Sequence, residues 1–203
     1  MPDWLTPAFF GTALLYASVG FGGGSTYNAL LSFAGFNYLL LPIVSLCCNV
    51  AVVSGNTLRF ARSGVVPWRR ALLLAAIAAP LAFLGGRTPI KEATFLTLLA
   101  LSLIAAGLAL LLPRRAQDAG EPAPAARWMP LAAAPLGYLA GLTGIGGGIF
   151  LAPLLHLTRW AEARAIAATT SLFILINSLS GLYGQWSKSG PAAFHLALGN
   201  ALP

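Results

Sequence analysis

Charged side chains are scarce in this chain of 203 residues: only 8% are charged, against about 25% in an ordinary soluble domain. Hydrophobic residues make up 58% of the chain, more than the interior of a soluble fold of this size can cover. A membrane-spanning helix needs roughly 20 apolar residues, and the composition therefore predicts an all-α polytopic membrane protein. The stretches without any charged residue are 4–58, 71–86, 93–113, 128–158 and 165–187.

Acidic residues are the rarest charged type, with only five in the chain, and none lies inside the long uncharged stretches. Proton relays and cation sites in membranes use buried carboxylates, so the sequence argues against both. It also contains no Ser-His-Asp set, histidine-rich cluster or pair of acids suited to hydrolysis. We therefore predict no catalytic residue, no metal, no cofactor and no enzymatic activity.

Cysteine occurs only at the adjacent positions Cys47 and Cys48, which excludes a disulfide framework or a spaced metal site. The net charge of +7 would suggest nucleic-acid binding in a soluble protein. This chain shows no combination of aromatic and basic residues of the kind that binds nucleic acids, so we predict no nucleic-acid partner. The positive charge indicates cytoplasmic loops instead. If loops alternate across the membrane, eight Lys and Arg accompany the N-terminus, which predicts an internal N-terminus. The four in the loops on the opposite side are Arg87, Lys91, Arg159 and Arg164. His156 and the tryptophans are expected at the membrane interfaces; the tryptophans are Trp4, Trp68, Trp128, Trp160 and Trp186.

Glycine is abundant, and one pattern occurs twice: GFGGG at residues 20–24 and GIGGG at 144–148, 124 positions later. Consecutive glycines disfavour a helix by about 1 kcal/mol each relative to alanine. Residues 128–157 as one helix would measure about 45 Å, well beyond a hydrocarbon core about 30 Å thick. The sequence therefore predicts a helix interrupted at each glycine run. Close packing of helices through small residues is the alternative.

The similarity extends beyond the glycines, because Ser45-Leu46 and Ser54-Gly55 match Ser171-Leu172 and Ser180-Gly181 at an offset of 126. We therefore predict two homologous helical repeats, each opening with a glycine-rich broken or re-entrant helix. Parallel and inverted repeats both remain open. The predicted parts are a first repeat at 1–112, a polar linker at 113–127 and a second repeat at 128–203.

A helix that begins inside a membrane offers unpaired N–H groups and about half a positive charge at its start. Glycine adds close approach to the backbone, so such a start favours an anion without burying a formal charge. Small polar residues after each glycine run could complete this site, although Asn49 and Asn177 could equally bond between helices. The predicted substrate-binding residues are Gly22, Gly23, Gly24, Ser25, Asn49, Gly146, Gly147, Gly148, Thr170, Ser171 and Asn177.

Residues 141–153 (GLTGIGGGIFLAP), followed by 167–172 and 177–181, resemble the sulfite exporter TauE/SafE family of bacterial inner-membrane permeases. The first half of the chain resembles the first repeat of that family. The resemblance implies a multi-pass inner-membrane protein that moves a small sulfur-containing or organic anion, with sulfite or an organosulfonate as cargo and export as direction. It also implies that the second repeat is truncated at Pro203, because family members continue through further helices.

A second hypothesis is a non-transporting membrane scaffold or assembly factor that packs against a partner through its glycine faces. The expected partners under the first hypothesis are a small anion and the lipid bilayer. A homo-oligomer is a further possible assembly under either hypothesis.

Overall fold

A computed structural model describes the backbone of residues 2–111 and 123–199, and all regular structure in these ranges is helical. The predicted all-α class is therefore confirmed. The predicted linker at 113–127 lies outside the described residues up to position 122. The helices are α1 (Leu5–Val19), α2 (Gly24–Phe33), α3 (Leu41–Arg62), α4 (Trp68–Arg87), α5 (Glu92–Leu111), a short 3-10 helix (Pro124–Trp128), α6 (Met129–Thr143), α7 (Gly148–Leu157) and α8 (Ala163–Gly199, with a non-helical residue at Gly190).

Both glycine runs lie between two helices. Gly20 ends α1 at φ 91° and Gly23 precedes α2 at φ 78°, while Gly144 and Gly147 occupy the matching places around α6 and α7 at φ 78° and 76°. A side chain with a Cβ is strained at such positive φ values, so glycine is the residue that lets the chain turn here. We call residues 20–23 the first tip and residues 144–147 the second tip.

The helices on either side of the first tip run antiparallel and side by side. The rings of Phe9 and Tyr27 lie 4.9 Å apart between centroids, and the hydroxyls of Tyr16 and Thr26 are 2.9 Å apart. The start of α1 and the end of α2 therefore lie at the same end of the molecule, where Leu5 and Leu31 share a core cluster with Leu41 and Phe95. This pair of helices is the first hairpin.

The second tip also connects two helices that return to one end. Met129 at the start of α6 and Leu155 near the end of α7 lie in one core cluster together with Trp160. This pair is the second hairpin. Trp160 differs from the other four predicted interfacial tryptophans, because it is only 6% exposed whereas they are 45–55% exposed. The ring is covered because the turn after α7 folds onto the base of α6.

Glycines outside the tips bring α4, α6 and α8 into close, parallel contact. Gly137 and Gly141 of α6 lie against the carbonyls of Ala78 and Ala82 of α4, where an added methyl group would overlap them. Ser180 of α8 donates a hydrogen bond to Ala79 O of the same helix α4. Close packing through small residues is thus a property of these helix-interior glycines.

Helix α3 runs antiparallel to α8, since Leu46 lies near Gly181 and Phe60 near Ala168. The end of α3 and the starts of α4, α6 and α8 therefore lie at one end of the molecule. We call this the basic end, because it carries Arg59, Arg62, Arg69, Arg70, Arg127, Arg159 and Arg164. The alternating-loop prediction placed Arg159 and Arg164 on the opposite side. It fails there because the second hairpin returns to the end at which it began.

Three of the described helices are long and apolar enough to cross a membrane: Leu41–Arg62, Trp68–Arg87 and Ala163–Gly190. Large apolar side chains also cover the outside of the molecule. Phe10, Leu15 and Phe33 are 66%, 70% and 84% exposed, which would be unfavourable in water but matches contact with lipid.

Candidate functional site

The two hairpins meet at their tips. A methyl group added at Gly24 would lie 2.8 Å from Ile145 O and 2.9 Å from Gly144 O, both of which are main-chain atoms of the second tip. Only glycine at position 24 leaves room for this approach, because ordinary van der Waals contact begins near 3.4 Å. The hairpins therefore touch backbone to backbone at the start of α2.

Asn49 of α3 lies between the two tips and is fully buried. Its Nδ2 donates a hydrogen bond to Ile145 O at 3.2 Å, and a methyl group at Gly24 or Gly146 would lie 2.5 or 2.8 Å from the same nitrogen. Its Oδ1 faces Gly22 and has no hydrogen-bond partner among the described residues. The predicted site residue Asn49 is therefore brought together with predicted residues of both glycine runs.

Each hairpin is hydrogen-bonded to the other half of the chain next to its tip. Asn28 of α2 donates from Nδ2 to Thr143 O at 2.7 Å and accepts at Oδ1 from Ser45 at 2.6 Å. In the opposite direction, Ser171 of α8 donates to Gly20 O. These carbonyls belong to helix C-termini, which have no partner inside their own helix. Asn28 and Ser45 were not among the predicted site residues, although Ser45 belongs to the Ser-Leu pair that recurs at Ser171-Leu172.

A cavity of about 670 Å³ lies beside the first tip. The N–H groups of Gly24 and Ser25 precede the first hydrogen bond of α2, from Thr26 N to Gly23 O at 2.9 Å, and so have no partner within the helix. No carboxylate lines the described wall of this cavity, and its basic side chains are His156 and Arg164. The predicted residues in the lining are Gly22, Gly23, Gly24 and Ser25.

The other predicted site residues do not line this cavity. Gly146 lies against Asn49 and Ile174, and Thr170 donates its hydroxyl to Ile166 O at 2.8 Å. Asn177 is fully buried, and neither its Oδ1 nor its Nδ2 has a partner within the described part of the chain. The first tip thus borders the cavity through Phe21, Gly22 and Gly23, whereas the second tip borders it only through Ile145. The predicted residues outside the lining are Asn49, Gly146, Gly147, Gly148, Thr170, Ser171 and Asn177.

Sequence reasoning missed part of the cavity wall, including Arg164 at the start of α8, His156 near the end of α7 and Phe60 of α3. It assigned Arg164 to a loop and His156 to the membrane interface. No motif marks these residues as neighbours of the first tip, because only the return of the second hairpin places them beside it. Among the described residues, no group of three or more His, Cys, Asp or Glu could hold a metal ion.

Apolar helices, two hairpins that meet at glycine tips, and a cavity with basic side chains are features of a helical membrane protein with a binding cavity beside its glycine tips. A family model described as Sulfite exporter TauE/SafE matches residues 5–203. The chain therefore belongs to the sulfite exporter TauE/SafE family, as its resemblance indicated, and is a membrane transporter.

Two relatives carry related descriptions. The chain is 34% identical over 184 residues, 89% of this chain and 74% of the relative, to "Probable membrane transporter protein y4hK" of Sinorhizobium fredii. It is 38% identical over 53 residues, 26% of this chain and 20% of the relative, to "Probable membrane transporter protein" of Haemophilus influenzae. No solved structure matches the chain.

Proposed function

We propose that the protein is a multi-pass permease of the bacterial inner membrane that exports a small sulfur-containing or organic anion, with sulfite or an organosulfonate as cargo. The observation that carries this proposal is the cavity beside the first tip. Gly24 and Ser25, whose N–H groups have no partner within α2, line this cavity together with Arg164.

The electrostatics of this cavity favour an anion. The start of a helix carries about half a positive charge, and the Arg164 guanidinium adds a full one. The described lining contains no carboxylate that would oppose them, and much of it is apolar, including Phe60, Ile145 and Ile174. Apolar walls lower the local dielectric constant and strengthen the attraction between a bound anion and these donors.

The arrangement of the hairpins supports an inverted relation between the repeats 1–112 and 128–203. Helices α1 and α6 both have 15 residues, α2 and α7 both have 10, and the bounds of each pair differ by 124. The first hairpin starts at the end of the molecule opposite the basic end, and the second starts at the basic end. We infer two re-entrant hairpins that enter the bilayer from opposite faces, as in other transporters with inverted repeats.

The basic end is assigned to the cytoplasm because cytoplasmic loops carry an excess of Lys and Arg. The first hairpin and the N-terminus then begin on the outer face, which replaces the internal N-terminus expected from alternating loops. Arg164 and Phe60, both near the basic end, line the cavity. The proposed export therefore starts with loading of the anion from the cytoplasm, followed by rocking of one half against the other.

Flux measurements in liposomes test this function. The panel consists of sulfite, thiosulfate, sulfoacetate and sulfate, with uptake and export measured separately. We expect Arg164→Gln to raise KM about fivefold, because a charge-charge attraction near 4 Å contributes about 1 kcal/mol even in water. Arg62→Gln is the matched control, since Arg62 is exposed at the same end and does not line the cavity.

Equal KM values for the two arginine variants would contradict the assignment of the anion site to this cavity. A purified wild-type protein that moves none of the four anions but retains a stable protein partner would instead support the scaffold hypothesis.

A further inference from the structure

A second, smaller cavity of about 260 Å³ lies at the basic end, apart from the first tip. It is formed where the first turn of α4, the 3-10 helix before α6 and the turn between α7 and α8 meet. Its lining combines two arginines and a tryptophan with small and apolar residues: Arg70, Leu73, Leu74, Ala126, Arg127, Pro130 and Trp160.

The two arginines of this cavity interact with aromatic rings. The Cζ atom of Arg70 lies 5.9 Å from the centroid of the Trp160 ring, and that of Arg127 lies 5.4 Å from the centroid of the Trp128 ring. Neither guanidinium has an ion-pair partner among the described residues, and this includes Glu162, two positions after Trp160. A ring contact through the face of a guanidinium leaves its N–H donors at the edge available.

The floor of the cavity belongs to the rigid interior of the protein. Leu74, Met129 and Trp160 are 1%, 6% and 6% exposed and lie in one core cluster, against which Ala126 packs. The segments that carry Arg70 and Arg127 are thus held at fixed positions. The fold therefore places both arginines in the lining of one cavity before any ligand binds, which reduces the entropy cost of binding.

We propose that this cavity binds the phosphate group of an anionic phospholipid headgroup from the cytoplasmic leaflet. Two guanidinium groups offer the planar pairs of donors that suit phosphate oxygens. Buried against apolar residues, Trp160 provides the amphipathic ring that membrane proteins place at headgroup level. Leu73 and Pro130 provide an apolar surface beside it. Basic pockets between transmembrane helices on the cytoplasmic side suit anionic headgroups, and this site does not depend on the transported substrate.

The test uses the purified full-length protein in detergent, with bound lipid counted by native mass spectrometry. The probes are phosphatidylglycerol, zwitterionic phosphatidylcholine and, as the soluble source of the same chemistry, inorganic phosphate. Each arginine near an anionic lipid surface contributes about 1 kcal/mol, or about fivefold in affinity. We therefore expect Arg70→Gln with Arg127→Gln to weaken phosphatidylglycerol binding about 25-fold. The matched control is Arg62→Gln with Arg69→Gln, which removes two exposed charges from the same end.

The proposal is supported if only the Arg70 and Arg127 pair lowers phosphatidylglycerol occupancy and the wild type retains little phosphatidylcholine. An equal loss in both double variants would show general attraction to the charged end and would overturn it. Inorganic phosphate that displaces phosphatidylglycerol at micromolar concentration would also overturn it, in favour of a soluble anion. As a second measurement, the four exposed tryptophans are replaced by phenylalanine so that Trp160 alone reports. Brominated phosphatidylglycerol should quench the Trp160 fluorescence of this variant, and the absence of quenching would place the lipid elsewhere.

Discussion

Replacing Gly24 by alanine tests the meeting of the two tips directly. Gly24 does not have a positive φ, so alanine causes no backbone strain there and acts only through its added methyl group. That methyl group would lie 2.5 Å from Asn49 Nδ2, 2.8 Å from Ile145 O and 2.9 Å from Gly144 O. Two of these three atoms belong to the main chain and cannot move aside by a rotamer change.

The tips would therefore have to separate by several tenths of an ångström. Overpacking of this kind costs about 1–3 kcal/mol, and the shift also displaces the N–H groups that we assign to the anion. We expect Gly24→Ala to lower the free energy of unfolding by that amount and to reduce flux of the transported anion several-fold. Thermal unfolding in detergent and flux in liposomes, from one preparation, measure both effects.

Gly55→Ala is the matched control, because Gly55 lies inside α3 and an added methyl group there meets nothing within 4 Å. Alanine in a helix interior should stabilise the protein by about 0.5–1 kcal/mol and leave flux unchanged. If Gly24→Ala were as stable and as active as Gly55→Ala, the backbone contact between the tips would not exist as described.

Three further substitutions probe the packing by thermal unfolding. Ser45→Ala should lower the free energy of unfolding by about 1–3 kcal/mol, because it leaves Asn28 Oδ1 buried without its donor. Ser54→Ala, at an exposed hydroxyl, is the control, and an equal loss in both variants would argue against the hydrogen bond from Ser45 to Asn28. Gly141→Ala should lower the free energy of unfolding by at least about 3 kcal/mol, since its methyl group would overlap a carbonyl of α4. Unchanged stability of this variant would refute the close approach of α4 and α6. Arg159→Gly should stabilise the protein by about 1 kcal/mol, because glycine removes the strain of the left-handed backbone conformation at this position (φ 48°). A loss of stability would contradict the presence of that strain.

The interruption of the helices could be predicted from the sequence because its cause is local. Three glycines in a row weaken any helix that contains them, and the described helices end at Val19 and Thr143 and resume at Gly24 and Gly148. Membership in the TauE/SafE family could also be predicted, since the motif around the second tip is contiguous in the chain.

The direction of the chain after each tip could not be predicted in this way. Whether a broken helix continues or returns depends on contacts such as Asn28 with Thr143, 115 residues apart, and these leave no local pattern. The error in side assignment for Arg159 and Arg164, the burial of Trp160 and the absence of Arg164 from the predicted site all follow from that one unknown. Long-range packing decided each of them.

The bond from Ser171 to Gly20 O spans 151 residues. Gly20 leaves the ribosome early, whereas its partner belongs to α8, the final helix of the described chain. During biosynthesis the Gly20 carbonyl therefore lacks this hydrogen-bond donor until α8 has been made and inserted. A nascent chain arrested before α8 should for this reason be more susceptible to quality-control proteases than its hydrophobicity alone implies.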